Sequence, residues 1–168
     1  MTTYFGGMGV GEGFNPAIAY TVSTSTPEYP GAPVAVGTRI FGSDGSQWVF
    51  CLAATAITAS DAVLVTTNST WSVSALTSAL GKGKLGQMVG IAGATASSGQ
   101  YLWVQTHGYN SAVNAVTGAT GFTLLHTSAT AGRLTATGVG GTSAAVQGIV
   151  ILATSASNTR SEERRVGK

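Results

Sequence analysis

Hydrophobic and polar side chains alternate in short runs over most of the chain after residue 37, and Gly, Ser or Asn separates the runs. A period of two is typical of a β-strand with one buried face, and turns at short intervals are typical of a sandwich or barrel. The pattern therefore predicts an all-β fold, a small β-sandwich or barrel-like domain of short strands. Strands are expected at 38–41, 47–53, 62–67, 70–74, 122–126, 132–137 and 144–154, with a short helix or plain link at 76–80.

Two further expectations follow from the same pattern. In the strand 47–53, Trp48, Phe50 and Leu52 share one face, and we expect the core on that face. Residues 109–121 are rich in Asn, Ser, Ala and Gly, so we expect an exposed excursion there.

The segment 86–108 predicts two strands joined by a turn. Val89 and Ile91 alternate with Gly90 and Ala92, so one face can bury branched side chains while the other lets a neighbouring backbone approach closely. Residues 95–99 are turn-forming, and alternation resumes over 101–107.

The strand 101–107 has two unlike faces. One carries Leu102, Val104 and Thr106 and is expected to point inward. The other carries Tyr101, Trp103, Gln105 and His107. Aromatic rings with hydrogen-bonding groups are common where a strand meets another protein, so we expect these four residues at an interface.

The chain divides by composition into three parts. Residues 1–36 hold all four prolines and predict an extended N-terminal arm, because proline removes a ladder donor and fixes φ. The aromatic residues of this arm, which we expect to fill pockets on another surface, are Tyr4, Phe5, Phe14, Tyr20 and Tyr29. An arm that folds back on its own domain is the alternative. Residues 37–157 form the β-rich domain, and 158–168 form a charged tail expected to be disordered or extraneous to the fold.

The charges argue against nucleic-acid binding. Up to residue 159 the basic and acidic residues balance, and the net charge of +2 comes from the tail. The domain therefore offers no basic stripe for a phosphate backbone. Gly, Ala, Ser and Thr dominate its composition, and few of its residues carry the charges that keep protein surfaces apart. We therefore expect it to pack against protein partners.

No motif favours catalysis, a metal or a cofactor. The G-x-G-x-x-G match at 81–86 precedes a strand instead of opening a helix, so it does not fit a dinucleotide site. His107 and His126 have no carboxylate or thiol at ligand spacing. Cys51 lies in an apolar strand and is expected to be buried and inert. We expect a protein that is not an enzyme and that takes no small-molecule substrate.

The chain has neither a secretory leader pattern at its start nor an apolar run of the length that spans a bilayer. We therefore expect no membrane association, and synthesis in a cytoplasm.

The segment 86–108 also resembles a known family. The sequence VGIA, a short Ala/Ser/Gly turn and then Y-x-WVQ-x-x-G is similar to the bacteriophage head decoration proteins, also called capsid cement or head stabilisation proteins. The resemblance is one of pattern over roughly the middle two thirds of the chain.

This resemblance implies a structural virion protein. It implies a β-rich domain on the exterior of a phage capsid, commonly a homotrimer at three-fold or quasi-three-fold positions, whose N-terminal arm contacts the major capsid protein. The protein would be made in the bacterial host cytoplasm and would stabilise the capsid by bridging its subunits. The arm aromatics would then bind the capsid, and Tyr101, Trp103, Gln105 and His107 would face a neighbouring subunit or the shell.

Two other functions are compatible with the composition. A phage tail or fibre component, or a carbohydrate-binding adhesion module, could use Trp71 and Tyr109 as a sugar platform. A small hydrolase would require a histidine and a carboxylate converging in one pocket.

Overall fold

The computed structural model describes residues 15–21, 34–67, 69–81, 87–116, 124–136, 143–151 and 159–163. Its elements are β1 Arg39–Phe41, β2 Gln47–Ala53, β3 Ala62–Thr66, β4 Ser72–Ala75, α1 Ser78–Gly81, β5 Met88–Ala92, β6 Tyr101–His107, β7 Tyr109–Val113, β8 Leu124–Thr127, β9 Leu134–Thr135, β10 Ala145–Ile151 and β11 Thr159–Glu163. Within these residues only α1 is helical. The all-β prediction is therefore confirmed.

Strands β2, β4, β3, β5 and β6 form a closed barrel, in that order around the wall. The barrel closes where β6 pairs antiparallel with β2. The other neighbouring pairs are also antiparallel except β2 and β4, which run parallel and meet at Leu52 and Ser72. The short strand β1 continues the sheet outside the barrel as an antiparallel neighbour of β2.

The barrel interior is lined by small and β-branched side chains. Its buried apolar residues are Val49, Cys51, Ala53, Ile57, Val63, Val65, Val73, Ala92, Ala96, Leu102 and Val104. A barrel of five strands is narrow, so Val and Ala fit its interior where aromatic rings do not. The expectation that the Trp48, Phe50 and Leu52 face of β2 holds this core is therefore wrong. Phe50 is fully buried, but it lies on the outer side of the wall.

The hairpin predicted within 86–108 is present. Strands β5 and β6 pair antiparallel, with Ile91 opposite Gln105. A side chain at Gly90 would collide with Val104 and would lie 2.7 Å from the carbonyl oxygen of Gln105, so the small residue allows the close approach expected there. The first hairpin, β1 and β2, is also present.

A second sheet, in the order β7-β11-β10-β8-β9, covers the outer face of β3 and β5. The buried apolar residues between the two are Ala62, Leu64, Leu76, Ile91, Val113, Ala115, Leu125, Leu134 and Val146. The predicted exposed excursion at 109–121 is thus wrong for β7, whose last residue, Val113, is buried in this cluster. Strand ladders use backbone groups, so a polar run can form a strand when a few of its positions are covered.

The predicted disordered tail also differs from the structure over Thr159–Glu163. This stretch forms β11, which pairs antiparallel with β10 on one side and β7 on the other. Backbone N–H and C=O groups on two open strand edges can bind a charged segment as readily as an apolar one. Residues 164–168 lie outside the described residues.

Candidate interaction surface

Two loops at one end of the barrel have the same backbone structure. Loop A (residues 54–61) joins β2 to β3, and loop B (residues 93–100) joins β5 to β6. The loops meet at Ile57 and Ala96, where each N–H donates to the other residue's carbonyl, at 2.8 and 2.9 Å. This reciprocal pair lies on a local pseudo-two-fold axis that exchanges strands β2 and β3 with strands β5 and β6.

The internal bonds of the loops repeat across this axis. In loop A the N–H of Thr58 donates to Oδ2 of Asp61 over 2.9 Å, and in loop B the N–H of Ser97 donates to Oε1 of Gln100 over 2.7 Å. The carboxylate of Asp61 and the carboxamide of Gln100 therefore have the same role within their loops, because each places one acceptor oxygen at the same position.

The bonds between the loops and the wall repeat as well. Ser60 donates its N–H to the carbonyl of Ala92, and Gly99 donates its N–H to that of Ala53, each over 2.8 Å. Both donors have positive φ, 70° at Ser60 and 87° at Gly99. The shared left-handed turn shows that the two loops are equivalent in conformation although their residues differ.

Each loop holds a different distant segment of the chain against the barrel. In loop A, Asp61 is 8 % exposed and accepts a 2.8 Å bond from Nδ2 of Asn114, which follows β7 in the second sheet. In loop B, Nε2 of Gln100 donates to Oγ1 of Thr21 over 2.8 Å. The next residues continue the correspondence: the N–H of Ala62 donates to the carbonyl of Gly132, and that of Tyr101 to the carbonyl of Tyr20, both over 2.8 Å.

The contact between loop A and the segments of the second sheet is closely packed. Asn114 also donates through Nδ2 to the carbonyl of Ala59 over 3.2 Å, and its backbone N–H donates to Ser60 over 3.0 Å. Gly132 lies against the carboxyl group of Asp61 with φ of 73°, and a Cβ there would collide with that group. This junction fixes the second sheet to the barrel.

The loop B side carries an aromatic patch, which consists of Phe50, Tyr101 and Trp103 on the outer wall of β2 and β6. The rings of Phe50 and Tyr101 are stacked, with centroids 5.7 Å apart and an interplanar angle of 9°. The rings of Phe50 and Trp103 are tilted, with centroids 4.9 Å apart. Because these rings are too large for the barrel interior, they pack on its outside. The equivalent outer face on the other side of the barrel, formed by β3 and β5, is covered by the second sheet.

The docking segment (residues 15–21) lies on this patch. Tyr20 and Tyr101 exchange two backbone hydrogen bonds, of 2.7 and 2.8 Å, so Tyr20 adds one strand position to the edge of β6. The ring of Tyr20 meets Phe50 edge-on, with centroids 5.7 Å apart. At the other end of the segment the carbonyl of Pro16 lies against Gly93, where a Cβ would collide with it.

The docking segment also organises itself. The side chain of Asn15 accepts a bond from the N–H of Ala17 over 2.9 Å, which forms a turn around Pro16. The Tyr20 hydroxyl accepts from the N–H of Asn15 over 3.0 Å and donates to its carbonyl over 3.2 Å. This part of the predicted arm therefore follows the alternative in which the arm folds back on its own domain. Tyr4, Phe5, Phe14 and Tyr29 lie outside the described residues.

The four interface residues predicted on β6 do not share one environment. Trp103 is 1 % exposed and Gln105 is 5 % exposed, so contacts within the chain bury both. Tyr101 and His107 are partly exposed. Contact of these two with a subunit or with a shell stays a prediction.

Gln105 has a structural role at the corner between the barrel and the second sheet. Its Nε2 donates to the carbonyls of His107 and Tyr109, at 3.2 and 3.0 Å, and its Oε1 accepts from Nδ2 of Asn110 over 2.7 Å. These bonds hold the reversal through Gly108 between β6 and β7.

The pair expected to form a sugar platform, Trp71 and Tyr109, lies at opposite ends of β2. The carbonyl of Trp71 accepts from Leu52 near the end of the strand, whereas the carbonyl of Tyr109 accepts from Gln105, which pairs with Trp48 near its start. Trp48 and Leu52 are four residues apart along β2, so the points at which Tyr109 and Trp71 are attached lie about 13 Å apart. The ring of Trp71 also has Arg39 over it, with the guanidinium carbon 5.7 Å from the ring centroid.

Few side chains among the described residues have the properties of catalytic or metal-binding groups. Burial raises the pKa of the Cys51 thiol to about 12, so this thiol stays protonated. Hydrogen bonds to Ser46 lower the pKa of Asp44 in the turn between β1 and β2. No group of three or more His, Cys, Asp or Glu side chains with metal-binding geometry occurs in the described ranges. Over the same ranges, no helix has the length and apolar character needed to cross a membrane.

Neither a family model, a curated protein nor a solved structure matches this chain. Sequence reasoning missed Asn114, Gly132 and Gly93, the three residues that fit the added segments to the barrel. A weak signal for the equivalent loops was present in the two stretches rich in Ala, Thr and Ser that each follow a strand, 54–60 and 93–99.

Proposed function

We propose that this protein is a structural component of a bacteriophage virion, which binds the exterior of the capsid and stabilises it by bridging subunits of the major capsid protein. The observation that carries the proposal is the place of the family-like sequence in the fold. The VGIA stretch is β5 apart from its first residue, and Y-x-WVQ-x-x-G is β6 with Gly108. The residues that resemble decoration proteins are thus the hairpin that closes the barrel.

The surface supports a protein partner. Its exposed large apolar side chains include Phe41, 59 % exposed on the edge strand β1, and Ile18, 48 % exposed on the docking segment. Others are Leu80, Tyr109 and Leu124. Burying such surface contributes about 25 cal/mol per Å². Several weak contacts to one lattice act together, so each subunit can bridge capsid proteins without one strong site.

The arm supplies the capsid anchors in this proposal. The docking segment ties the arm to the barrel at Tyr20, and the aromatic residues that precede it are Tyr4, Phe5 and Phe14. We assign these three residues to the major capsid protein. The role is mechanical, without a catalytic group or cofactor, and the assembly is a homotrimer on the capsid exterior.

Binding to empty, expanded capsids of the parent phage tests this proposal. The full chain should cosediment with them, and a variant with Tyr4, Phe5 and Phe14 changed to Ser should lose most of its binding while keeping its thermal unfolding temperature. The matched control is Tyr29→Ser, which removes an arm aromatic on the other side of the docking segment and should bind more tightly than the triple variant.

Failure of the full chain to cosediment would contradict capsid binding. Full binding by the triple variant would contradict only the assignment of the anchors. A map of the particle adds an independent result, because density at the capsid three-fold positions is expected, and density confined to the tail would overturn the proposal.

A further inference from the structure

The docking segment holds its own conformation. Oδ1 of Asn15 accepts from the N–H of Ala17, and the Tyr20 hydroxyl bonds to both the N–H and the carbonyl of Asn15. The N–H of Ile18 also donates to the carbonyl of Asn15, over 3.3 Å. All of these bonds join residues of the segment to one another. The segment can therefore leave the barrel wall and return to it as one unit.

The docking segment is also the more exposed of the two attachments to the barrel. None of its residues is buried, and Ile18 is 48 % exposed. The side-chain bond from Gln100 to Thr21 is exposed as well. On the loop A side, by contrast, Asp61 is buried where it accepts from Asn114 of the second sheet. Segments with little buried surface open at low free energy, so the docking segment should open before the second sheet does.

The docked segment covers two features of the wall. Its Tyr20 bonds the N–H and the carbonyl of Tyr101, which lie on the edge of β6 that faces away from β2. The Tyr20 ring contacts Phe50, which is fully buried. The preceding residue, Ala19, packs against the cluster that fills the barrel. A free strand edge beside a large aromatic ring invites pairing with other chains, so the docked state protects the wall.

We propose that the docking segment is a latch on the barrel wall, which opens and closes at the bridge between Tyr20 and Tyr101 while the barrel stays folded. The barrel is closed without the latch, because β6 pairs with β2 on one side and with β5 on the other. The closed latch fixes the point at which residues 1–14 join the domain, and the open latch uncovers Phe50 and the edge of β6. The latch acts within one chain and does not depend on capsid binding.

Amide hydrogen exchange of the full chain measures the opening. The N–H groups of Tyr20 and Tyr101 donate to each other's carbonyls, so both exchange when the latch opens. The N–H groups of Leu102 and Val104 face β2, and they exchange only when the barrel opens. We expect Tyr20 and Tyr101 to show equal protection, and to exchange at least about 100-fold faster than Leu102 and Val104 after correction for intrinsic rates.

A variant of the segment should change the first pair of amides alone. Tyr20→Ala removes the ring that contacts Phe50 and the hydroxyl that holds Asn15. We expect exchange at Tyr101 to become at least about 10-fold faster, while Leu102 changes by less than about twofold. The matched control is Ile18→Ala, which shortens an exposed side chain of the same segment and should change exchange at Tyr101 by less than about threefold.

A disulfide should have the opposite effect. Thr21 lies opposite Gln100, next to the doubly bonded pair of Tyr20 and Tyr101, and opposite residues at such a position have Cα atoms close enough for a disulfide. The variant carries Thr21→Cys and Gln100→Cys, and it keeps the buried Cys51. The oxidised monomer should exchange at Tyr101 at least about 10-fold more slowly than the same protein with its disulfide reduced, which is the control.

Each result bears on the proposal. Equal protection of the amides that face the latch and those that face β2 would show that the segment opens only with the barrel, which overturns it. An unprotected Tyr101 amide would show that no closed state exists. Loss of protection at Leu102 in Tyr20→Ala would show that the barrel needs the segment, and a disulfide that leaves exchange at Tyr101 unchanged would contradict closure at this bridge. Capsid binding is not measured, so the outcome is separate from that of the proposed function.

Discussion

The carboxylate of Asp61 accepts a 2.8 Å hydrogen bond from the side-chain amide of Asn114, and this bond joins the barrel to the second sheet. The same carboxylate accepts from the N–H of Thr58 within loop A. We expect Asp61→Ala to lower the free energy of unfolding by about 2–3 kcal/mol, because two donors then lose their acceptor at a buried position. Urea denaturation followed by circular dichroism measures the change.

The equivalent position in loop B provides the matched control. Gln100 accepts the corresponding bond from Ser97, but its second bond, to Thr21, lies at the exposed docking segment. Gln100→Ala should cost less than about 1 kcal/mol, since water can replace the lost partner. Equal losses for the two variants would show that the junction to the second sheet adds nothing to stability.

Gly132 gives a test of the same junction from the other side. Its φ of 73° disfavours any residue with a Cβ, and that Cβ would collide with the carboxyl group of Asp61. We expect Gly132→Ala to destabilise the fold by about 2–4 kcal/mol, from the left-handed conformation and the displaced carboxylate together.

The control for this change is Gly45→Ala in the turn between β1 and β2. Gly45 has φ of 82°, and a Cβ there would have nothing within 4 Å. Only the conformational cost of about 1–2 kcal/mol should then appear. If Gly132→Ala is no more costly than Gly45→Ala in urea denaturation, the close contact with Asp61 is not present in solution.

The Cys51 thiol predicts a dependence of stability on alkaline pH. Burial raises its pKa from 9.0 to about 12, so the unfolded chain loses this proton at lower pH than the folded chain. Its contribution is fully present below pH 9 and is lost as pH rises from about 9 towards 12, at about 1.4 kcal/mol per pH unit.

Urea denaturation at pH 8, 9 and 10 measures this slope. Other groups titrate over the same range, so the comparison is with Cys51→Ala, whose stability should fall less steeply by the amount that the thiol contributes. A thiol reagent at pH 8 should modify wild-type Cys51 only as fast as the protein unfolds. Identical pH slopes for the two proteins, or rapid modification of the folded chain, would contradict the buried position of the thiol.

A chain that ends at residue 157 tests the strand β11. Its removal takes away the shared neighbour of β7 and β10, so amide hydrogen exchange should become faster in 109–113 and 145–151. The amides of β2 in 49–53 should keep their protection, because that strand pairs within the barrel and with β1. Unchanged exchange in 109–113 would show that Thr159–Glu163 does not pair with β7 in solution, and loss of protection in β2 would show that the barrel itself needs the tail.

The sequence by itself determined most of the strands and their approximate bounds, but it missed β7 and β11. The first hairpin and the hairpin of β5 and β6 are visible because alternation and turn residues are local properties of the chain. The burial of Cys51 followed from its apolar neighbours for the same reason. Gly90 could be assigned to a close backbone approach because a small residue at a regular strand position has few other uses.

Only the tertiary structure decided which faces lie inside. An alternating strand has two candidate faces, and the curvature of a narrow five-stranded barrel selected the Val and Ala face of β2 over the larger aromatic one. The partners of Asp61 and Tyr101 were equally beyond the sequence, because Asn114 and Tyr20 are far from them along the chain and meet them only when the barrel closes. The equivalence of loops A and B is likewise a property of backbone geometry, which a carboxylate and a carboxamide satisfy in the same way.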